Sequence, residues 1–552
     1  MKKKFWQILF TAGLIVSFSA GAFFVIFSDA SQLVKIVPDD AFYYFKIAQN
    51  IIEGFGSTFD GTNLANGYHP LWMVMILPLA RFIKDPLIYL KSILILELVF
   101  RLATVVLLFK ILEKITKKGW LVFFGACFYF LNPQIVSSSF NGLETGTNTF
   151  LFAVLIYFVF FKKLKAWILG LILGLFFLAR TDNIFYIVGF CLLLLSFRPN
   201  EPQSIGTSAQ TFLHRQGNFF YSLNFRLKEG LSNKFLLVLI FFLITISPWL
   251  LWHYLNFGTV IQTSADAVPM VLRSNYLLDH TVREMFVRNL KAMISFPIWG
   301  WYAFLGVSEH FLWFLSVASF LILAVCWKFK QTKEERMIFI RFIPLFLATL
   351  SLAWIHDCWR HYPRDWHFDT TIFLMGIVFT LVIQFVVKII QSKRFNLRLR
   401  NFISVFFFMF LALMFFQFLK QGVKDLQIGD YNYQNQPELL EAAYWLKCNL
   451  KEGERVGAFN AGIMSFFSGK QVVNLDGVIN NNAYKAVKSK SIYSFIKEQK
   501  IDYYLDLQPY MNDLYSSFFG ERAVVKMNLV AEIDRPDVNW ENSHIKIYKL
   551  RW

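Results

Sequence analysis

The chain has 552 residues, of which 56% are hydrophobic and 19% aromatic, with Phe alone at 65 copies, only 17% charged, and a mean hydropathy of +0.46. That much apolar surface excludes a soluble globular protein and predicts an α-helical polytopic membrane protein of about 11–13 membrane segments with a small soluble α/β domain at its C-terminal end. The net charge of +18 is spread over short connections between apolar runs; this is the positive-inside pattern and makes membrane lipid, not nucleic acid, the partner.

The first element is Lys2-Lys3-Lys4 followed by the apolar run Phe5–Phe27. A secretory signal core is about 7–15 residues long, so this longer run reads as a retained first span with its basic end in the cytoplasm. Further runs follow at Pro70–Ile83, Leu87–Leu112, Trp120–Ser137, Thr147–Phe161, Ala166–Ala179, Ile184–Phe197, Phe235–Tyr254, His310–Trp327, Ile338–Ile355, Thr370–Val387 and Phe402–Leu419. Several fall below the roughly 20 residues that a bilayer asks of a helix. Basic clusters at Lys2–Lys4, Lys114–Lys118, Lys162–Lys165, Arg198–Lys234, Lys328–Arg341 and Lys388–Arg400 are placed inside. The intervening connections, including 29–69, 132–146, 180–183, 356–369 and everything after Lys420, then lie outside. One stretch resists the count: two runs lie between His69 and Lys114, where only one net crossing fits. Within Leu87–Leu112, Glu97 and Arg101 are four residues apart on one helix face and read as a mutually neutralising pair.

Residues 1–420 thus form the membrane domain. The tail, 430–552, changes character, with strand-like alternation at Arg455–Phe459 and Gln471–Leu475 and a helical stretch at Pro437–Leu450. It reads as a small extracytoplasmic α/β domain. Cys127, Cys191 and Cys326 lie inside apolar runs as small hydrophobes. Cys358 and Cys448 lie outside them, and a single bridge between these two stays open. No Cys/His metal-ligand spacing occurs.

Polar chemistry is densest in the first outer loop, 29–69. Asp39 and Asp40, followed by apolar Phe42, Phe45, Ile47 and Ile51, read as an N-capped amphipathic helix lying on the membrane. Capping accounts for one carboxylate and leaves the other for general-base work. The segment His356–Asp369 is the second dense polar cluster, with three His and three Asp at irregular spacing; it reads as an interfacial loop bordering the cavity.

The order of motifs from Asp39-Asp40-Ala41 through Gly54-Phe55-Gly56 to Asn66-Gly67-Tyr68-His69-Pro70-Leu71-Trp72 resembles the first outer loop of multispanning GT-C glycosyltransferases that use polyprenyl-phosphate sugars. The likeness is nearest to bacterial arabinofuranosyl- and mannosyltransferase-like members. Asn141-Gly142-Leu143-Glu144-Thr145, Leu178-Ala179-Arg180-Thr181-Asp182 and the tail segment from Gly457 to Asp476-Gly477 are similar to further motifs of that family. Thr181 stands where the family has Pro, and Arg360-His361-Tyr362-Pro363 matches only loosely.

The resemblance implies a membrane-embedded transferase of cell-envelope glycan biosynthesis in the bacterial cytoplasmic membrane. A hexosyl or pentosyl group would pass from polyprenyl phosphate to a glycan, lipid or protein acceptor on the outer face, with inversion. The acceptor hydroxyl must lose a proton as the transition state gains oxocarbenium character; Asp40 or Asp39 is the candidate base. Glu144, Arg180, Asp182, His69, Arg360 and His361 are the candidate substrate-binding residues, with Arg364 also available to the phosphate. No cofactor motif is found. A divalent cation (Mg, Mn or Ca) is the one cofactor the acids would accommodate, with Asp39 and Asp40 as its ligands. Two other readings stand beside this one: a transporter or flippase of lipid-linked glycans, and a non-catalytic membrane scaffold with an outer binding domain. The missing internal repeat and the gathering of acids at outer ends weigh against a transporter.

Overall fold

Runs rich in Leu, Ile, Val and Phe become helices because a helix satisfies every backbone N–H and C=O within its own segment, as a bilayer requires. The computed structural model describes residues 3–162, 164–196, 233–295, 333–359, 364–390, 433, 435–507, 510, 514–520, 526–534 and 544–551, with isolated positions 401, 405, 409 and 416. Its first part runs α1 (Lys3–Phe27), α2 (Ala30–Leu33), α3 (Asp39–Glu53), α4 (Pro70–Phe82), α5 (Pro86–Ile115), α6 (Gly119–Phe130), α7 (Pro133–Ser138), α8 (Thr145–Phe161), α9 (Ala166–Ala179) and α10 (Ile184–Ser196). There follow α11 (Asn233–Phe257), α12 (Ala267–Asp279), α13 (Val282–Ser295), α14 (Lys333–Ala353) and α15 (Asp369–Ile390). Among the described residues, α1, α5, α11 and Asp369–Lys388 within α15 are long and apolar enough to cross a membrane, and shorter apolar helices accompany them. The runs His310–Trp327 and, for the most part, Phe402–Leu419 lie outside the described residues.

The predicted run Trp120–Ser137 is two helices, not one. Asn132 caps α7 by accepting from the N–H groups of Gln134 and Ile135, and Pro133 occupies its first position, so the chain restarts there. In the 69–114 stretch, the 13 residues of α4 rise about 20 Å, against about 45 Å for the 30 residues of α5.

Close approach of α9 and α11 depends on Gly170 and Gly174, a small-xxx-small pair. A β-carbon on Gly170 would run into the Val238 carbonyl, and one on Gly174 into the Thr245 side chain. Gly174→Leu is therefore expected to push the helices apart and cost about 1–3 kcal/mol, measurable as a lower melting temperature of the purified chain in detergent.

The C-terminal part comprises α16 (Gln436–Asn449), β1 (Val456–Ala458), α17 (Gly462–Ser468), β2 (Val472–Asn474), α18 (Asn481–Lys488), α19 (Ile492–Glu498), β3 (Tyr503–Leu507), β4 (Lys526–Ile533) and β5 (Ile545–Arg551). These strands form one sheet in the order β2-β1-β3-β5-β4. β1 runs parallel to β2 and β3, while β5 is antiparallel to β3 and β4. Every residue of β1, β2 and β3 is buried, as for strands covered on both faces.

One hydrophobic core joins this sheet to the first loop. Val37, Ala41, Phe42 and Phe45 share it with Leu439, Ile463, Phe466, Phe467 and Val472. Phe42 lies 5.5 Å from Phe466 and 5.7 Å from Phe467, and Phe45 and Tyr89 close the aromatic cluster around Phe466. The expectation of an amphipathic helix lying on the membrane is thus corrected: the apolar face of α3 is covered by protein. Nor does an acid cap it, because its N-cap is Pro38, which makes no side-chain cap bond.

One further expectation is overturned. Glu97 and Arg101 do not pair. Glu97 accepts from the Gly142 N–H at 2.8 Å and the Thr145 hydroxyl at 2.9 Å, whereas Arg101 pairs with Asp369 at 2.8 Å. Tertiary partners with fixed geometry outcompete an i,i+4 contact between mobile side chains. Cys448 is a free, exposed thiol, so the bridge to Cys358 that the sequence left open is not formed.

Candidate functional site

Successive residues of an α-helix point about 100° apart, while residues four apart share a face. At the start of α3 this separates the two acids. Asp39 shares a face with Tyr43, and Asp40 with Tyr44.

The Asp39–Tyr43 face meets the C-terminal sheet domain. Both oxygens of the buried Asp39 carboxylate accept backbone N–H bonds from the first turn of α17: Oδ2 from Gly462 at 3.0 Å and Oδ1 from Ile463 at 2.7 Å. The Asp39 N–H donates to Gln436 Oε1 at 2.6 Å, and Gln436 Nε2 donates to the carbonyls of Val34 and Val37. A β-carbon on Gly462 would collide with the Asp39 backbone oxygen, so only glycine allows the approach. The Tyr43 hydroxyl donates to the Phe459 carbonyl at 3.1 Å. Burial raises the Asp39 carboxyl to about 7, against the lowering effect of the two N–H bonds.

The Asp40–Tyr44 face meets the ends of α4, α8 and α9. The Tyr44 hydroxyl donates to Glu144 Oε2 at 3.1 Å and accepts from the His69 N–H at 3.1 Å. Arg180 is forked: Nε and Nη2 bind Asp182 at 3.1 and 2.8 Å, and Nη1 binds Glu144 at 2.7 Å. His69 Nε2 stands 3.6 Å from Glu144. His356 Nε2 lies 3.0 Å from Asp182, and its ring centroid lies 3.9 Å from that of His367, the planes tilted by 31°.

Glu144 owes its position to the turn before α8. Gly142 has φ +70°, its N–H donates to Glu97 and its carbonyl accepts from Trp72 Nε1 at 3.0 Å. That φ favours glycine, and a β-carbon would stand 2.8 Å from Phe45.

Asp40 is the contrast. It is half-buried, and among the described residues nothing hydrogen-bonds its carboxylate. Burial holds that carboxyl above its ordinary range; the nearby Arg364 guanidinium pulls it down, and Glu144 pushes it further up. Asp39 and Asp40 leave α3 on different faces, and each Asp39 oxygen already accepts one backbone N–H bond. Among the described residues, no cluster of three or more His, Cys, Asp or Glu is disposed to hold a metal ion.

Asp40, Glu144, Arg180, Asp182 and His69 are therefore brought to one place, and Asp39 is turned away from it. Arg360 and His361 lie outside the described residues. Sequence reasoning missed Tyr44, His356 and Gln436. The four-residue step from Asp40 would have found Tyr44. His356 was visible only as one member of a polar cluster, and nothing local marks Gln436.

A family model described as a domain of unknown function (DUF8728) matches residues 425–546. No curated protein matches the chain. Among solved structures, the crystal structure of ArnT from Cupriavidus metallidurans bound to undecaprenyl phosphate aligns over 97% of this chain and 98% of that one, with a TM-score of 0.50 and 10% identity. The chain shares the fold of this membrane protein. The apo structure of the same ArnT aligns over 98% of both chains, with a TM-score of 0.49 and 12% identity. At such identities the likeness speaks for architecture, and the chemistry has to come from the residues.

Proposed function

We propose that this chain is an integral-membrane glycosyltransferase that takes its sugar from a polyprenyl-phosphate donor and passes it, with inversion, to an acceptor on the outer face of the bacterial cytoplasmic membrane. In this reading the N-terminus is cytoplasmic, and the C-terminal sheet domain lies outside. The observation that carries it is Asp40, a half-buried carboxylate with no hydrogen-bond partner among the described residues, next to Arg364 and Glu144. The ArnT likeness supports it through shared architecture with a protein crystallised with undecaprenyl phosphate.

Asp40 takes the proton of the acceptor hydroxyl while that oxygen bonds to the anomeric carbon. The bond from that carbon to the phosphate oxygen breaks, and its electron pair leaves with the polyprenyl phosphate. Arg364 faces the charge that develops on the phosphate. Arg180 already has three of its N–H donors engaged by Glu144 and Asp182, so it positions these carboxylates. With His69 beside Glu144, they present oxygens to sugar hydroxyls.

The test is transfer of radiolabelled sugar from a panel of hexosyl and pentosyl polyprenyl phosphates in membranes containing the chain. Transfer by the wild type, its loss in Asp40→Asn and its partial retention in Asp39→Asn are expected. The reverse pattern would move the base to Asp39. No transfer from any donor would overturn the proposal.

A further inference from the structure

Open α/β sheets take their ligands in the crevice outside the carboxyl ends of parallel strands, where the loops after adjacent strands face each other. In the C-terminal domain the loops Phe459-Asn460-Ala461 and Leu475-Asp476-Gly477, which follow β1 and β2, border a crevice beside the β1/β3 switch point of the 2-1-3 strand order. It is filled by the chain's own α3. Tyr43 reaches the Phe459 carbonyl on one side, and Asn474 at the end of β2 donates to the Tyr43 hydroxyl at 3.3 Å on the other. Asp39 receives the two N–H bonds of α17, the helix that connects β1 to β2. The crevice is itself firmly built. Buried Asp506, at the end of neighbouring β3, accepts from the N–H groups of Phe459 and Asn460 at 2.6 and 2.9 Å and fixes the loop that Tyr43 touches.

We infer that the C-terminal domain is a positioning element for the catalytic loop, with the first turn of α3 as its internal ligand. Gripping Asp39 and Tyr43 sets the rotation of α3 about its axis. That rotation sets the direction in which the side chain of Asp40, one residue on, leaves the helix. The positioning residues are Asp39, Gln436 and Gly462. Gln436 fixes the approach to α3 by binding three backbone groups between Val34 and Asp39. Gly462 admits the Asp39 backbone. This rests on the transferase reading for its catalytic consequence, but not for the grip itself.

The experiment uses the full chain in nanodiscs and the variants Gln436→Leu, Asp39→Ala and the conservative Asp39→Asn, which keeps one acceptor oxygen. Amide hydrogen exchange reads the grip without reference to activity. Exchange in residues 34–48 and 459–466 is expected to rise in Gln436→Leu and Asp39→Ala and to rise less in Asp39→Asn. Exchange in α5 and α8 stays as in the wild type, which separates a released loop from a misfolded chain. In transfer assays kcat is expected to fall by about 100-fold, the scale of a misplacement of about 1 Å, with KM within about twofold and partial recovery in Asp39→Asn. Unchanged exchange in residues 34–48 overturns the grip. Raised exchange with wild-type kcat overturns the positioning role. If the wild type transfers no sugar, the transferase reading fails, and exchange alone decides whether α3 is held in the crevice.

Discussion

Asp40→Asn is expected to lower sugar transfer by about 10²- to 10⁴-fold, the range a positioned general base contributes. Asn keeps the size of the side chain and removes its negative charge and its basicity. Asp40 makes no hydrogen bond within the described residues, so the substitution breaks none there, and protein yield should match the wild type. The pH profile gives a second readout. The base works deprotonated, so kcat/KM rises with pH as Asp40 loses its proton and then levels off. Burial holds this carboxyl above the ordinary 3.8, which places the acid limb at higher pH than for a solvated aspartate. Glu144→Gln removes a like charge and should move the limb to lower pH. Arg364→Ala removes the opposing cation and should move it to higher pH. An acid limb that persists in Asp40→Asn would assign the titration to another group.

Fold class was legible because it rests on patterns that are local. Apolar runs became helices, and the alternations at Arg455–Phe459 and Gln471–Leu475 became β1 and β2. The convergence of Glu144, Arg180 and His69 was signalled only by their common position at the ends of apolar runs; their mutual bonds span 36 and 75 residues at least. The different surroundings of Asp39 and Asp40 could not be read at all, because the partners of Asp39 lie 423 and 424 positions away. Sequence reasoning asked which acid caps α3, and the acid that caps anything caps α17. The same limit explains Glu97 and Arg101. Their four-residue spacing made them neighbours, but the Gly142 turn and Asp369 supplied partners that no helical pattern announces.

Arg101→Leu should be among the most destabilising single changes in the chain, at about 3–5 kcal/mol. Arg101 and Asp369 are each only 1% exposed. The guanidinium donates to Asp369 Oδ2 at 2.8 Å, to the Tyr129 hydroxyl at 2.6 Å and to Ser138 Oγ at 3.0 Å, tying α5 to α6, α7 and α15. Ser138 also donates to Asp369 Oδ2 at 2.7 Å, while Asp369 Oδ1 has no hydrogen-bond partner among the described residues. Removing the arginine therefore leaves Asp369 buried with a single hydroxyl for compensation, at the first turn of the helix that follows the His356–Asp369 polar segment. A buried charge without its partner costs more than the pair contributes, so the double variant Arg101→Leu with Asp369→Leu should be more stable than Arg101→Leu alone. Thermal unfolding of the full chain in one detergent, comparing wild type, both single variants and the double, measures this coupling. Equal losses in the Arg101 single and the double variant would mean that the arginine is needed for Tyr129 and Ser138 and not for Asp369. Recovery in the double variant would identify the pair as the lock between α5 and the start of α15. His367 stands two residues before α15 and packs against the ring of His356, which binds Asp182. Loosening α15 should then reach Asp182, and through Arg180 also Glu144, without touching either.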